Sequence, residues 1–242
     1  MIPKVIHRIW LGSSLPAAAA ELGGHWERLF PDYRLELWTD ERLLRLGMPR
    51  RWFAARTYAE RSDVARYLLL DRFGGVYADC DVEPLARFDA LWAEGGSFVA
   101  FRESPDLVWN GVIASAPGQR VLRIASALAA RGARLEDPDA APNVRTGPFV
   151  FTMAVEYAQA IDDTGMLVCP CGFAHVRGEP TADAVVSSPF RDPPSWAAVD
   201  PQAPGRPRLG PTVVDAVRTR STLASMAPVR LRRRLRRGAG QP

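Results

Sequence analysis

The chain has 242 residues, 47% of them hydrophobic, and a formal net charge of +4. This length can bury the core of one α/β domain, and no apolar run approaches the ~20 residues that cross a bilayer. Six arginines lie between Arg230 and Arg237, so the rest of the chain is slightly acidic. Cys80, Cys169 and Cys171 form no zinc pattern, which favours reduced, buried thiols. We expect a soluble, cytoplasmic protein, because the first predicted strand leaves no room for a secretory signal.

Strands and helices alternate along the chain, which is typical of a doubly wound α/β sheet. The pattern predicts strands at residues 5–11, 34–38, 75–78, 98–101 and 107–114. It predicts helices at residues 17–30, 57–73, 118–131 and 147–160, the first interrupted by Gly23 and Gly24. Proline-rich loops are expected over residues 178–211. We therefore expect a single domain at residues 1–211, followed by an amphipathic helix and the arginine-rich tail at residues 212–242.

An acidic pair follows the third predicted strand. Asp79 and Asp81 come directly after the apolar run Val76-Tyr77-Ala78. In an extended chain, side chains two residues apart point to the same side. Two such carboxylates suit a hard cation, Mn²⁺ or Mg²⁺, that takes its remaining ligands from phosphate oxygens. The alternative interpretation is an Asp-x-Asp sequence in a solvated turn.

The helix predicted ahead of this strand carries Asp63 and Arg66. Residues three apart share a helix face, so a carboxylate and a guanidinium would be presented together near the end of the next strand. The alternative is an ordinary exposed ion pair, which contributes little to stability.

Several stretches of the chain occur in a distinctive order. They are Ile2-Pro3-Lys4-Val5-Ile6-His7-Arg8-Ile9-Trp10, Trp26 with Pro31-Asp32-Tyr33 and Trp38, Ala59-Glu60-Arg61-Ser62-Asp63-Val64-Ala65-Arg66-Tyr67, and Gly74-Gly75-Val76-Tyr77-Ala78-Asp79-Cys80-Asp81. The pattern resembles the glycosyltransferases with a DXD sugar-binding region, which include initiating mannosyltransferases, bacterial capsular polysaccharide enzymes and the large glucosylating toxins. Asn110-Gly111 and Thr146-Gly147-Pro148 continue the likeness more weakly. The resemblance implies a GT-A fold, a Rossmann-like nucleotide-sugar-binding sheet with flanking helices.

The resemblance also implies roles for individual residues at the donor site. Trp10 would stack on the nucleotide base, with a core tryptophan as the alternative. Asp63 and Arg66 would contact the nucleoside and the donor sugar. Tyr77 would help to position the donor, and Asp79 would contact the ribose or a metal-bound water.

Further residues would complete this site. Asp81 would ligate Mn²⁺ or Mg²⁺ at the diphosphate. Asn110 would touch the donor or acceptor sugar, unless it is simply an asparagine in a turn. Ser195 and Trp196 match a family Ser-Trp pair that contributes to the donor site. Many family members carry a histidine shortly before that pair, whereas the nearest one here is His175.

The implied reaction is transfer of a hexose or N-acetylhexosamine from a UDP-sugar or GDP-mannose. The acceptor would be a glycan, a lipid-linked sugar or a small molecule, with the anomeric configuration retained. A catalytically silent protein of the same fold, binding a nucleotide sugar or glycan, would use most of the same residues. A phosphatase with an aspartate nucleophile is disfavoured, because it needs a lysine after the motif and the chain's one lysine is Lys4.

The arginine-rich tail predicts peripheral contact with an anionic membrane, where each arginine gains about 1 kcal/mol. A solvated, disordered terminus is the alternative, and nucleic acid is not expected because no aromatic residues are interleaved with the arginines.

Removing residues 228–242 should abolish sedimentation with phosphatidylserine vesicles at low salt, because the truncated chain loses the clustered positive charge. Neutral phosphatidylcholine vesicles serve as the control. Sedimentation that the truncation leaves unchanged would contradict membrane docking by the tail.

Overall fold

The computed structural model describes residues 1–49, 52, 55, 57–133, 142–175, 180 and 182–188. Within these residues there are nine strands and six α-helices, and none of these helices is long and apolar enough to cross a membrane. Ser195, Trp196 and the tail at residues 212–242 lie outside the described residues. The domain boundary after residue 211 therefore stays a prediction.

The described elements follow the predicted order. The strands are β1 Val5–Ile9, β2 Arg34–Trp38, β3 Gly75–Ala78, β4 Glu83–Pro84, β5 Phe98–Ser104, β6 Leu107–Ser115, β7 Met166–Cys169, β8 Ala174–His175 and β9 Val186–Ser187. The α-helices are α1 Ala17–Leu29, α2 Asp40–Arg45, α3 Tyr58–Phe73, α4 Arg120–Gly132, α5 Pro142–Arg145 and α6 Pro148–Ile161. Strands β2 and β3 have their predicted bounds. The ends of the other predicted elements move by at most three residues.

The main sheet is mixed. In the described part of the chain its strand order is β2-β1-β3-β6-β5-β7, and β1 pairs in parallel with both β2 and β3. Strand β6 is antiparallel to β3 and β5. Its pairing with β5 follows from the turn at residues 105–106, which joins the two strands directly, because a tight hairpin requires antiparallel strands. The α/β prediction is confirmed, but the sheet departs from the parallel arrangement of a doubly wound sheet at β6, whereas β5 and β7 pair in parallel again.

Helix α3 is delimited by clear local signals. Thr57 Oγ1 accepts a hydrogen bond from Glu60 N, and the Glu60 carboxylate accepts one from Thr57 N, which is a capping box. The helix ends at Gly74, whose φ of 64° is followed by a φ of 99° at Gly75. These left-handed conformations favour glycine. They let the chain pass directly from α3 into β3, which brings both elements to the same site.

The main sheet separates two apolar layers. One layer joins α3, α4 and α6, and the other includes α1. Side chains alternate along β3, so Val76 and Ala78 belong to the α1 layer and Tyr77 to the α3 layer. Tyr77 is thereby buried beneath the helix that carries Asp63 and Arg66.

The cysteines differ in burial. Cys80 and Cys169 are buried, as expected, whereas Cys171 is exposed. Cys171 lies just beyond the end of β7, at the margin of the described sheet, so the prediction of three buried thiols is wrong at this position.

Helix α1 runs without a break through Gly23 and Gly24, so the predicted interruption is wrong. A Cβ atom at Gly23 would lie 2.5 Å from Nη1 of Arg8. Arg8 is buried and donates from Nη2 to Ala19 O and Cys80 O, both at 2.8 Å. Gly23 therefore leaves room for a side chain that ties α1 to the segment after β3.

Gly23→Ala and Gly24→Ala should change stability in opposite directions. Alanine favours a helix over glycine by about 1 kcal/mol, and Gly24 has room for it because a Cβ there meets only Arg28 Nη1, at 3.4 Å. At Gly23 the methyl group displaces the Arg8 guanidinium, and losing its two hydrogen bonds costs about 2 kcal/mol. Urea denaturation should show a lower free energy of unfolding for Gly23→Ala only. Equal changes would contradict this role of Arg8.

Candidate functional site

The acidic pair lies in a turn at the carboxyl end of β3. Asp79 N donates to Gly111 O at 2.8 Å, and Val82 N donates back to Asp79 O at 3.1 Å. The expectation of an extended chain across Asp79 and Asp81 is therefore wrong. Both side chains are half-buried, and both carboxylates affect the residue between them. Burial, reinforced by these two charges, raises the pKa of the Cys80 thiol to about 12.

Arg66 is the central cation of this region. Its side chain is 6% exposed and lies 3.1 Å from Asp63 Oδ1 and 3.2 Å from Asp79 Oδ1. It also donates to Asn110 O at 2.8 Å, and its Cζ atom lies 4.5 Å from the centre of the Tyr77 ring. Burial disfavours the charge, but Asp79, Tyr77 and Asp63 raise the pKa of Arg66 above its ordinary value. The alternative of an exposed ion pair is wrong.

Asp63 is held by hydrogen bonds to both of its oxygens. Oδ1 accepts from Asn110 Nδ2 at 2.9 Å, and Oδ2 accepts from Thr146 Oγ1 at 2.8 Å. Burial raises the pKa of Asp63 to about 6, although Arg66, Thr146 and Asn110 all favour the charged form. The carboxylate is thus fixed in orientation and titrates close to neutrality.

Tyr77 holds the first aspartate of the acidic turn in place. Its hydroxyl donates to Asp79 Oδ1 at 2.6 Å and lies 3.3 Å from Ser62 Oγ, which itself accepts from Arg66 Nη2 at 3.3 Å. Burial raises the pKa of Tyr77, so the phenol keeps its proton. Because Tyr77 is fully buried, it can act on a ligand only through Asp79 and Arg66.

Asn110 lies inside β6, so the interpretation as a turn asparagine is wrong. Its buried amide donates to Asp63 Oδ1 at 2.9 Å and to Tyr67 Oη at 3.0 Å. Tyr67 Oη in turn donates to Thr146 O at 3.0 Å. Asn110 therefore joins β6 to α3 and to the segment before α6.

Trp10 lies beside the acidic turn. It follows the end of β1, and Ile9 O accepts a hydrogen bond from Cys80 Sγ at 3.3 Å. Trp10 is half-buried and belongs to neither buried core cluster. Its indole Nε1 donates to Ser13 Oγ at 3.2 Å. A partly exposed indole at this edge leaves a flat surface for stacking.

The hydrogen bonds of His7 indicate a structural role. Its Nδ1 accepts from Trp38 Nε1 at 3.0 Å, so Nε2 carries the proton and donates to Gly74 O at 2.9 Å. Burial lowers the pKa of His7, which keeps the ring neutral. Both ring nitrogens are engaged within the protein.

Sequence reasoning assigned no role to Ser62, Tyr67 or Thr146. All three lie in stretches that carry the family resemblance, and each contacts a residue that was assigned one. The available signal was their position within the Ser62-to-Tyr67 and Thr146-Gly147-Pro148 patterns. Nothing in the spacing indicated that Thr146 would contact Asp63, 83 residues earlier in the chain.

The carboxylates of the acidic turn suit a metal cation that takes only some of its ligands from the protein. Among the described residues, no three His, Cys, Asp or Glu side chains come together as a metal site. Asp79 uses Oδ1 for Tyr77 and Arg66, and the Asp81 carboxylate lies two residues further along the same turn. Mn²⁺ or Mg²⁺ with one or two protein carboxylates, phosphate oxygens and water fits this arrangement.

The fold and the acidic turn resemble those of the GT-A glycosyltransferase domains. Residues 16–97 match the family model described as the glycosyltransferase sugar-binding region containing a DXD motif. This stretch includes Asp63, Arg66, Asp79 and Asp81, so the predicted family resemblance is confirmed. Over residues 16–97 the chain is therefore similar to the DXD sugar-binding family.

Two curated relatives have names that refer to a mannosyl group and to ceramide. The chain is 33% identical over 133 residues to inositol phosphoceramide mannosyltransferase 3 of Schizosaccharomyces pombe, covering 50% of this chain and 35% of that protein. It is 34% identical over 134 residues to mannosyl phosphorylinositol ceramide synthase SUR1 of Saccharomyces cerevisiae, covering 48% and 32%. The chain thus spans about a third of the length of these relatives.

Two solved structures support the fold. The PaToxG glycosyltransferase superposes with a TM-score of 0.55 at 20% identity, covering 68% of this chain and 73% of that one. The ligand-free glycosyltransferase domain of the YGT toxin superposes with a TM-score of 0.52 at 9% identity, covering 69% and 80%. At these identities the likeness concerns the fold alone, and it confirms the predicted GT-A architecture.

Asp63→Asn should change how stability depends on pH. The native carboxyl has a folded pKa of about 6 against an unfolded value of about 3.9, so its protonated form stabilises the folded state. That contribution is fully present below about pH 4 and is lost as the pH rises through about 6, a change of about 3 kcal/mol. Urea denaturation across this range should show the native chain losing that stability relative to the variant. If the difference in the free energy of unfolding between the two proteins stayed constant with pH, the raised pKa of Asp63 would be contradicted.

Proposed function

We propose that the chain is a metal-dependent glycosyltransferase that moves a hexose from a nucleotide sugar to a lipid-linked or glycan acceptor. The observation that carries this proposal is the buried Arg66, 3.1 Å from Asp63 and 3.2 Å from Asp79 beside the acidic turn. A guanidinium fixed next to carboxylates can bind both sugar hydroxyls and phosphate oxygens. The family match supports sugar transfer.

GDP-mannose is the proposed first donor, and a ceramide-containing lipid is the proposed acceptor class. The names of the two relatives, an inositol phosphoceramide mannosyltransferase and a mannosyl phosphorylinositol ceramide synthase, support mannose as the transferred sugar and ceramide in the acceptor. UDP-glucose, UDP-galactose and UDP-N-acetylglucosamine are the competing donors.

Each group of the site has a proposed task. Trp10 stacks on the donor base. Asp63 and Arg66 hold the sugar hydroxyls and so favour the reacting geometry. Asp79 contacts the ribose or a metal-bound water while Tyr77 fixes its orientation. Asn110, 4% exposed, acts by orienting Asp63.

Asp81, with Oδ2 of Asp79, is the proposed holder of Mn²⁺ or Mg²⁺. When bound, such a cation supplies Lewis-acid stabilisation of the negative charge on the departing diphosphate. Arg66 adds a permanent positive charge near the same group, because its burial and its carboxylate partners keep it protonated.

The proposed stereochemical outcome is retention, by attack of the acceptor on the face that the diphosphate leaves. Asp63 has both oxygens engaged in hydrogen bonds, and Asp79 is bound to Arg66 and Tyr77. Neither carboxylate has the unencumbered position that a covalent nucleophile requires in a retaining glycosidase.

The experiment that tests the function is a calorimetric and turnover screen of GDP-mannose and the three UDP-sugars, with and without Mn²⁺. Turnover is followed with an inositol phosphoceramide acceptor and by release of the nucleoside diphosphate. Metal-dependent binding and transfer with one donor are expected. Binding without turnover would favour a catalytically silent nucleotide-sugar protein, and no binding by any donor would refute the proposal.

Asp81→Asn should lower metal-dependent turnover at least a hundredfold, because it removes the charged ligand expected to hold the cation. Asp163→Asn is the matched control. Asp163 is exposed and precedes β7, whose first residue pairs with Phe98 at the opposite end of the sheet from the acidic turn. Full activity of Asp81→Asn, with unchanged Mn²⁺ dependence, would contradict the metal assignment.

A further inference from the structure

The short segment between α5 and α6 forms the back wall of the site. Thr146 is fully buried, and its hydroxyl donates to Asp63 Oδ2 at 2.8 Å. A second acceptor, Pro142 O, lies farther away, at 3.3 Å. A hydroxyl has one proton to donate, and a charged carboxylate is the stronger acceptor. The proton therefore goes to Asp63.

Thr146 contacts the site through its backbone as well. Its carbonyl oxygen accepts from Tyr67 Oη at 3.0 Å, and Tyr67 Oη accepts from Asn110 Nδ2, which also donates to Asp63 Oδ1. A closed ring of hydrogen bonds therefore runs from Thr146 through Tyr67 and Asn110 to Asp63 and back to Thr146.

The residue before Thr146 fixes the position of this segment. Arg145 is buried and lies 3.3 Å from Glu60 Oε1. Its guanidinium also donates to Gly132 O at 3.2 Å and to Ala133 O at 2.9 Å. A Cβ atom at Gly132 would lie 1.7 Å from Arg145 O, so the end of α4 packs directly against this backbone. Thr146 consequently has little freedom to move away from Asp63.

We propose that Thr146 is a positioning residue that sets the orientation of the Asp63 carboxylate toward the donor sugar. The proposal rests on the function proposed above, in which Asp63 holds sugar hydroxyls. Asn110 and Arg66 both bind Oδ1 of Asp63. Thr146 binds Oδ2, and so it prevents the carboxylate from rotating about its Cβ–Cγ bond.

Asp63 meets the sugar, whereas Trp10 and the proposed metal site meet the base and the diphosphate. Loss of the Thr146 hydroxyl should therefore weaken binding of the intact nucleotide sugar and leave binding of the nucleoside diphosphate unchanged. A general loosening of the fold would weaken both.

The test compares Thr146→Val, Thr146→Ser and Thr152→Val. Valine keeps the shape of threonine without the hydroxyl, and serine keeps the hydroxyl. Thr152 is the matched control, because it is another buried threonine whose Oγ1 is hydrogen-bonded, to Pro148 O at 2.7 Å and to Val108 N at 2.9 Å. No hydrogen bond links Thr152 to Asp63 within the described residues.

Calorimetry with Mn²⁺ measures the Kd of GDP and of GDP-mannose, with UDP and UDP-glucose in parallel, and turnover gives kcat and KM. Thr146→Val should raise the Kd of the nucleotide sugar about tenfold and lower kcat/KM at least as much. The Kd of the nucleoside diphosphate should stay within about twofold. Thr146→Ser should restore most of the loss, and Thr152→Val should leave both Kd values and kcat/KM near native values even though it lowers the Tm.

Three outcomes would each overturn the positioning role while the proposed function stands. They are an equal rise in the Kd of both ligands, no rescue by Thr146→Ser, and a native Kd of the nucleotide sugar in Thr146→Val. A native chain that binds and turns over none of the donors would overturn both proposals together. The two failures are therefore distinguishable from the native measurement alone.

Discussion

A guanidinium buried in the protein interior keeps its charge, so the surrounding structure must supply acceptors for it. Arg66 meets this requirement with Asp63, Asp79, Ser62 and the carbonyl of Asn110. These acceptors come from α3, β6 and the turn after β3, so neutralising one side chain fixes the relative positions of three elements. The aromatic face of Tyr77 closes the remaining side.

The carboxylates around Arg66 outnumber the one positive charge that they share. Two carboxylates, Asp63 and Asp79, share one guanidinium, and Asp81 lies two residues beyond. Burial is the main cause of the raised pKa of Asp63, and the nearby charge of Asp79 adds to it. A divalent cation in the turn would offset the charge of Asp79. Under the proposed function, the binding of donor and metal would therefore be linked to the ionisation of Asp63 through one electrostatic cluster.

Much of this arrangement could be predicted from sequence, for identifiable reasons. The helical pattern of residues 57–73 and the apolar run of residues 76–78 are local signals, and they located the helix, the strand and the acidic pair. The motif order identified Asp63, Arg66 and Asp79 as neighbours. Contacts between segments distant in sequence were not predictable. Examples are Thr146 with Asp63, and Arg8 with Gly23, where a packing requirement outweighed the helix-breaking tendency of glycine.

Strand β6 is nine residues long and β3 is four. Ala78, the last residue of β3, pairs with Val112, so the first five residues of β6 continue past the end of β3 and begin beside the acidic turn. This extension is largely buried and rests on α6, because Val108 N donates to Thr152 Oγ1 at 2.9 Å. Inserting residues in pairs on both strands at the turn of residues 105–106 would keep every side chain on its original face and lengthen the hairpin by about 7 Å per pair. The hairpin can thus change in length at its tip while the contacts of Asn110 with Arg66 and Asp63 stay the same.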